Sequence, residues 1–129
     1  MDETIGRLGD AELEIMQVIW DSGNPAGSGY ILEQLKGKRR WALSTLMTSL
    51  SRLEKKGFVQ CDRSTGSNLY EALIVEEQYK QKESTTFLER LYGNSVKSLV
   101  NSLYSGKAIN KKDLAELRQF IDDMEKKEE

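Results

Sequence analysis

Residues Trp41 to Gly57 read WALSTLMTSLSRLEKKG, and the spacing predicts a helix with two unlike faces. Leu46, Leu50 and Leu53 recur at helical intervals, with Leu43 one turn earlier, and at about 100° per residue they share one side. Thr45, Thr48, Arg52 and Lys55 fall opposite, with Ser44 and Ser51 at the margin. That second face is short, polar and ends in positive charge. Hydroxyls bond phosphates or base edges, and arginine bonds either. The alternative is a solvated face on an ordinary amphipathic helix. Ser44 is placed to cap the helix and Gly57 to end it.

The surroundings favour the nucleic-acid reading. Between Lys36 and Arg63 stand eight basic residues (Lys36, Lys38, Arg39, Arg40, Arg52, Lys55, Lys56, Arg63) against two acidic ones, Glu54 and Asp62, a net +6. The whole chain of 129 residues is at −2, which argues against indiscriminate coating of nucleic acid.

Upstream, Asp10 to Trp20 reads as a first helix, with Asp10 as its cap and Leu13, Met16, Ile19 and Trp20 as its apolar stripe, broadened by Ile15 and Val18. Residues Asp21 to Pro25, with the sole proline, form a break. A second helix is expected over Ser28–Lys36, with Ile31 and Leu35 facing inward, then a basic turn over Gly37–Arg40. Downstream the period changes. Phe58–Arg63 and Asn68–Leu73 read as strands around a turn at Ser64–Ser67. Three helices followed by a hairpin make a winged helix-turn-helix, in which the third helix enters the major groove and the hairpin lies along the backbone. Arg63 at the hairpin tip would then meet phosphate. Cys61 is expected on the inner face of its strand.

From Val75 the pattern is helical to the end. One helix runs to Tyr92 with Tyr79, Phe87, Leu88 and Leu91. Gly93-Asn94 breaks it. A second runs over Ser95–Ser105 with Val96, Leu99, Val100, Leu103 and Tyr104, and Gly106 breaks that. The last begins at Asn110 or Lys111 and carries Leu114, Leu117, Phe120, Ile121 and Met124. Asp113 and Glu116 near its start and Lys126 and Lys127 near its end suit the helix dipole. These stripes need a partner surface. A second copy would make a twofold dimer with Leu99, Leu103, Leu117, Phe120 and Ile121 in its interface. The alternative is folding back on the winged helix of the same chain. The expected division is a winged helix DNA-binding domain over 1–74 and a helical dimerisation domain over 75–129, mainly α with a small β-hairpin.

Composition narrows the rest. The absence of histidine removes the commonest metal ligand and general base, and with one cysteine and no glycine-rich phosphate loop no catalytic constellation remains. No cofactor or metal is expected. The lone Cys61 suits a reducing cytoplasm. No apolar run approaches the roughly 20 residues that span a bilayer, so no membrane insertion is expected. The segment MDETIGRLGDAE lacks the features of a signal peptide. Two further readings stay open. One is a winged helix used only for protein contacts, which would not need the basic cluster. The other is a regulator with a small-molecule pocket lined by Trp20, Tyr30, Tyr70 and Tyr79, although aromatic residues at these spacings are more often core.

The segments LGDAELEIMQVIW, WALSTLMTSLSRLEKKGFV and FLERLYGNSVKSLV resemble the penicillinase repressor family, over about Ile5 to Glu125 and most specifically over Trp41–Val59. The resemblance implies an N-terminal winged helix, a C-terminal helical dimerisation domain, and repression by homodimers on palindromic operators with TACA and TGTA half-sites. Thr45, Thr48 and Arg52 match family positions that contact DNA. Ser44 departs where relatives often carry a basic residue, and Met47 where they often carry arginine. Lys38, Arg39 and Arg40 can compensate through phosphates. β-Lactam repressors resemble one another at an Asn–Phe bond cut by a membrane sensor protease. The matching position here is Ser102–Leu103, with Asn101 one residue early. The copper-responsive branch carries a C-terminal cysteine cluster. The tail Asp122–Glu129 has none, which excludes a thiolate copper or zinc site.

Overall fold

A computed structural model describes residues 5–23 and 25–128. Met1–Thr4 of the segment read for a signal peptide, Asn24 of the break and Glu129 of the tail lie outside them. The chain divides into two compact units, Met1–Glu83 and Ser84–Glu129.

The first unit holds α1 (Asp10–Ser22), β1 (Ala26–Gly27), α2 (Ser28–Leu35), α3 (Leu43–Lys55), β2 (Val59–Asp62) and β3 (Leu69–Ala72), and the start of α4 (Glu76–Tyr92). This is a winged helix. The sheet is antiparallel in the order β1-β3-β2, with Cys61 opposite Tyr70 and Ala26 on the other side of that tyrosine. Two residues are too few for a periodic pattern, so β1 leaves no trace in the sequence. Helix α1 runs two residues beyond Trp20, taking in Asp21 and Ser22, and stops at Gly23 in the left-handed conformation (φ +69).

The core is built from the stripes expected. Ile15 and Met16 of α1, Ile31 and Leu35 of α2, and Leu46, Leu50 and Leu53 of α3 are buried together with Phe58, Val59 and Tyr70. Full burial of each aliphatic chain is worth about 1.5–3 kcal/mol. Leu43 differs from expectation. It shares the angular position of the other leucines but is 50% exposed, because it is the first residue of α3 and lies beyond the core that buries the next turn. Met47 packs at the core's edge.

Two helix starts also differ from the sequence reading. Gly9, not Asp10, caps α1, and its N–H donates to Glu12 Oε1 at 2.9 Å. Ala42, not Ser44, caps α3, without a side-chain acceptor. The end of α3 is as expected. Gly57 adopts φ +85, the Gly57 N–H donates to the Glu54 carbonyl (3.1 Å), and the Phe58 N–H reaches back to that of Leu53 (3.0 Å). This is the Schellman termination, with the side chains of Leu53 and Phe58 both buried beneath it.

The first unit extends past the expected boundary at residue 74 because the first turns of α4 are tied into it. Tyr79 is 5% exposed. Its ring meets Trp20 (centroids 6.1 Å apart) and, edge-on, Phe58 (5.8 Å). Its hydroxyl accepts from the Leu8 N–H at 3.0 Å, and Trp20 Nε1 donates to the Ile74 carbonyl at 2.9 Å. Tyr70 and Tyr79 are therefore core residues rather than the lining of a shared ligand pocket.

The second unit comprises the end of α4, α5 (Val96–Ser105) and α6 (Lys111–Glu128). Gly93 and Asn94 both take left-handed conformations and end α4. Ser95 caps α5 by accepting from the Ser98 N–H (3.1 Å). At the other end of α5 the left-handed residue is Lys107 (φ +63), not Gly106 (φ −82). Asn110 and Asp113 cap α6 reciprocally, each side chain accepting from the other's N–H at 3.0 and 2.8 Å.

One carboxylate ties α1 to the end of α3. Glu12, with its side chain 14% exposed, accepts from Lys56 Nζ at 2.8 and 2.9 Å as well as from Gly9. Burial pushes its carboxyl up, but the Lys56 ammonium, the Gly9 N–H and the nearby Arg52 together hold it below the ordinary value of 4.5. A carboxyl depressed on folding stabilises the fold above its unfolded value and stops doing so as pH falls through the folded one. Glu12→Gln keeps an acceptor for the Gly9 N–H but loses the charge facing Lys56, so it is expected to lower unfolding free energy at neutral pH by about 0.5 kcal/mol, the worth of a partly exposed ion pair. The gap to the parent should close as pH falls through the depressed folded value, where the parent's carboxyl protonates too. Urea unfolding over a pH series from neutral into acid measures it, and a pH-independent gap would contradict it.

Candidate nucleic-acid interface

Helix α3 presents Ser44, Thr45, Thr48, Ser51, Arg52 and Lys55 to solvent, while Leu46, Leu50 and Leu53 hold its other side in the core. The face read from the sequence is thus brought together on one rigid element. The Thr48 hydroxyl donates to the Ser44 carbonyl at 3.0 Å. With its proton engaged, the side chain offers its lone pairs and its methyl group outward. Among the described residues Arg52 makes no salt bridge, although its charge is felt at Glu12.

Ion pairing divides the eight basic residues of the Lys36–Arg63 segment into two sets, and apart from the i,i+3 pair of Lys36 with Glu33 no sequence pattern indicates the division. Four are engaged. Lys36 pairs with Glu33 (2.9 Å), Arg39 with Glu14 (2.6 Å), Lys56 with Glu12 (2.8 Å) and Arg63 with Glu54 (3.1 Å). The other four, Lys38, Arg40, Arg52 and Lys55, make no salt bridge among the described residues. Arg39 also lies over the Trp41 ring, 5.6 Å from its centroid. That contact and the bond to Glu14 on α1 fix the connection between α2 and α3. Beside it an open depression of about 520 Å³ is lined by Leu32, Lys36, Arg39, Arg40, Trp41 and Ala42. Arg40 is exposed there, next to the start of α3.

Arg63 is the site residue whose surroundings differ most from expectation. It follows β2 directly, but its guanidinium is turned to the Glu54 carboxylate, with a second contact of 3.4 Å from Nη1 to Oε2. Asp62 organises the wing tip by accepting from the Ser64 N–H (2.9 Å) and hydroxyl (2.6 Å), and these bonds hold its carboxyl below the ordinary range. Cys61 packs against the core side of its strand, as expected.

The residues expected at a dimer interface lie on α5 and α6, which contain no buried residue. Leu99 and Leu117 are half-buried, whereas Leu103, Phe120 (58%) and Ile121 are exposed. Ser102 and Leu103 lie inside α5, within its hydrogen-bonded body. Among the described residues no helix is long and apolar enough to cross a membrane.

A winged helix with an exposed polar recognition face and unpaired cations around it defines the protein as a DNA-binding helix-turn-helix regulator. The model of the penicillinase repressor family matches residues 8–123, and the chain belongs to that family, one of transcriptional repressors rather than enzymes. A penicillinase repressor of Staphylococcus aureus is 32% identical over 117 residues, covering 91% of this chain and 92% of that one. The methicillin resistance regulatory protein MecI of Mammaliicoccus sciuri is 29% identical over 121 residues, 94% of this chain and 98% of its own. A solution structure of the Bacillus licheniformis BlaI monomeric form in complex with the blaP half-operator is similar with a TM-score of 0.50 at 32% identity, covering 58% of this chain and 90% of that one. A solution structure of the DNA-binding domain of the repressor BlaI gives a TM-score of 0.51 with the same coverage.

Proposed function

We propose that this chain is a cytoplasmic repressor of the β-lactam-resistance type that binds a palindromic operator as a homodimer. The observation that carries the reading is the exposed face of α3, with Thr45, Thr48 and Arg52 aligned on it. In this reading α3 enters the major groove and those three side chains read base edges. Ser44, Lys55 and Arg40 contact the backbone, and Lys38 adds a further cation. The BlaI monomeric form in complex with a half-operator supports one winged helix per half-site. The exposed apolar side chains of α5 and α6 support the dimer, since a second copy would cover what the chain alone leaves in water. Selection from a pool of random duplexes, followed by footprinting, tests the reading. A palindrome protected on both halves is expected. Recovery of no preferred sequence would overturn it.

Induction by a membrane sensor protease is constrained by the chain's own chemistry. At Ser102–Leu103, leucine offers a pocket built for phenylalanine less apolar contact, worth about 1–3 kcal/mol. Serine leaves unpaired the groups that would bond an asparagine amide. Both residues also lie inside α5, so cleavage there requires local opening. Exposed to a β-lactam, cells carrying the protein should keep it whole at this bond. Intact mass spectrometry checks this, and prompt fragments ending at Ser102 and starting at Leu103 would contradict it.

A further inference from the structure

The wing, Val59–Ala72, has a single cation, Arg63, against Asp62 and Glu71. Arg63 is held by both carboxylate oxygens of Glu54, at 3.1 and 3.4 Å, on the last turn of α3. Glu54 is the sole acidic residue of that helix, and it stands between Arg52 and Lys55 in sequence. A bare carboxylate there would repel the polyanion that α3 is built to meet. The geometry points to Arg63 acting on Glu54 rather than on DNA: it is a positioning residue that neutralises the recognition helix and fixes the wing to it, leaving charge contacts to the α2–α3 connection and α3. This rests on the DNA-binding reading above. It adds that the wing grips no phosphate through charge.

An exposed ion pair is weak, so Arg63 could leave Glu54 at little cost. Doing so, however, would expose a carboxylate beside the phosphates as it gained one phosphate contact, and the two effects oppose each other. Keeping the pair closed leaves the net charge unchanged and keeps the wing docked on α3. Asp62, bonded to Ser64, holds the turn that follows.

The two roles predict different double-mutant cycles. Arg63→Ala should weaken binding to operator and random duplex alike by about fivefold, the size of one unit-charge repulsion a few ångströms away in water. Glu54→Gln alone should bind at least as tightly as the parent. The double variant Glu54→Gln/Arg63→Ala should recover the parent's affinity, with the same slope of log affinity against log salt. A phosphate-gripping Arg63 would instead leave the double variant weak and reduce the slope by about 0.9. Fluorescence anisotropy with labelled duplex over a salt series reads all four proteins, and circular dichroism confirms that each is folded. A double variant as weak as Arg63→Ala, or an Arg63→Ala protein as tight as the parent, overturns the inference. A parent protein that binds no duplex overturns the DNA-binding reading itself, so the two failures are distinct.

Discussion

Leu103→Asp is expected to give monomers and to reduce operator affinity by about a hundredfold or more, the range lost when two linked binding events become separate ones. Leu103 lies on α5 at 37% exposure, so the folded chain tolerates a carboxylate there with water still in reach. Inside a subunit interface the same carboxylate would be buried without a partner, at a cost of several kcal/mol. Phe120→Asp, at a side chain 58% exposed on α6, is a second variant that disturbs the protomer even less. Sedimentation equilibrium reads the assembly and anisotropy the affinity. If both variants sediment as dimers and hold the operator as the parent does, the apolar faces of α5 and α6 are not the interface. If they are monomeric yet bind undiminished, the operator does not require two copies.

The second large effect is on discrimination. Arg52→Ala should weaken binding to the selected operator far more than to random duplex, because a bidentate arginine–base contact is worth about 1–3 kcal/mol of discrimination and a phosphate contact carries none. Arg52 is free to make that contact, since no salt bridge engages it among the described residues, whereas the neighbouring Lys56 is held by Glu12. Thr48→Ala should act in the same direction with a smaller effect. Its proton is committed to the Ser44 carbonyl, so what it can present to a base is an acceptor or its methyl group. Thr48→Val keeps the methyl and loses the acceptor, and comparison with Thr48→Ala separates the two, a thymine methyl being the partner for the first. Equal losses on operator and random duplex for Arg52→Ala would assign it to the backbone instead.

The helices, their inward stripes and the α3 terminus at Gly57 were legible in the chain, because each depends on local periodicity or on a single residue's backbone preference. Leu46, Leu50 and Leu53 could bury together only as one side of a helix, and that forces Thr45, Thr48 and Arg52 outward. The candidate base-reading face therefore follows from the sequence alone. The helix starts were less legible. Gly9 and Ala42 cap without a side-chain acceptor of their own, so neither shows the hydroxyl, carboxylate or amide that marks most helix starts.

Tertiary structure decided which charges are available. Arg63 and Arg40 look alike in sequence, as do Lys55 and Lys56. Contacts across 9, 25 and 44 residues neutralise Arg63, Arg39 and Lys56 and leave Arg40 and Lys55 without salt bridges among the described residues. It also decided that Tyr79 belongs with the winged helix, since Trp20 and Phe58 meet it only once α1 and the start of β2 are packed. Periodicity is a property of neighbours along the chain, so it finds the face of α3. Pairing depends on distance in space, and only the fold brings Glu54 to Arg63 and Glu12 to Lys56.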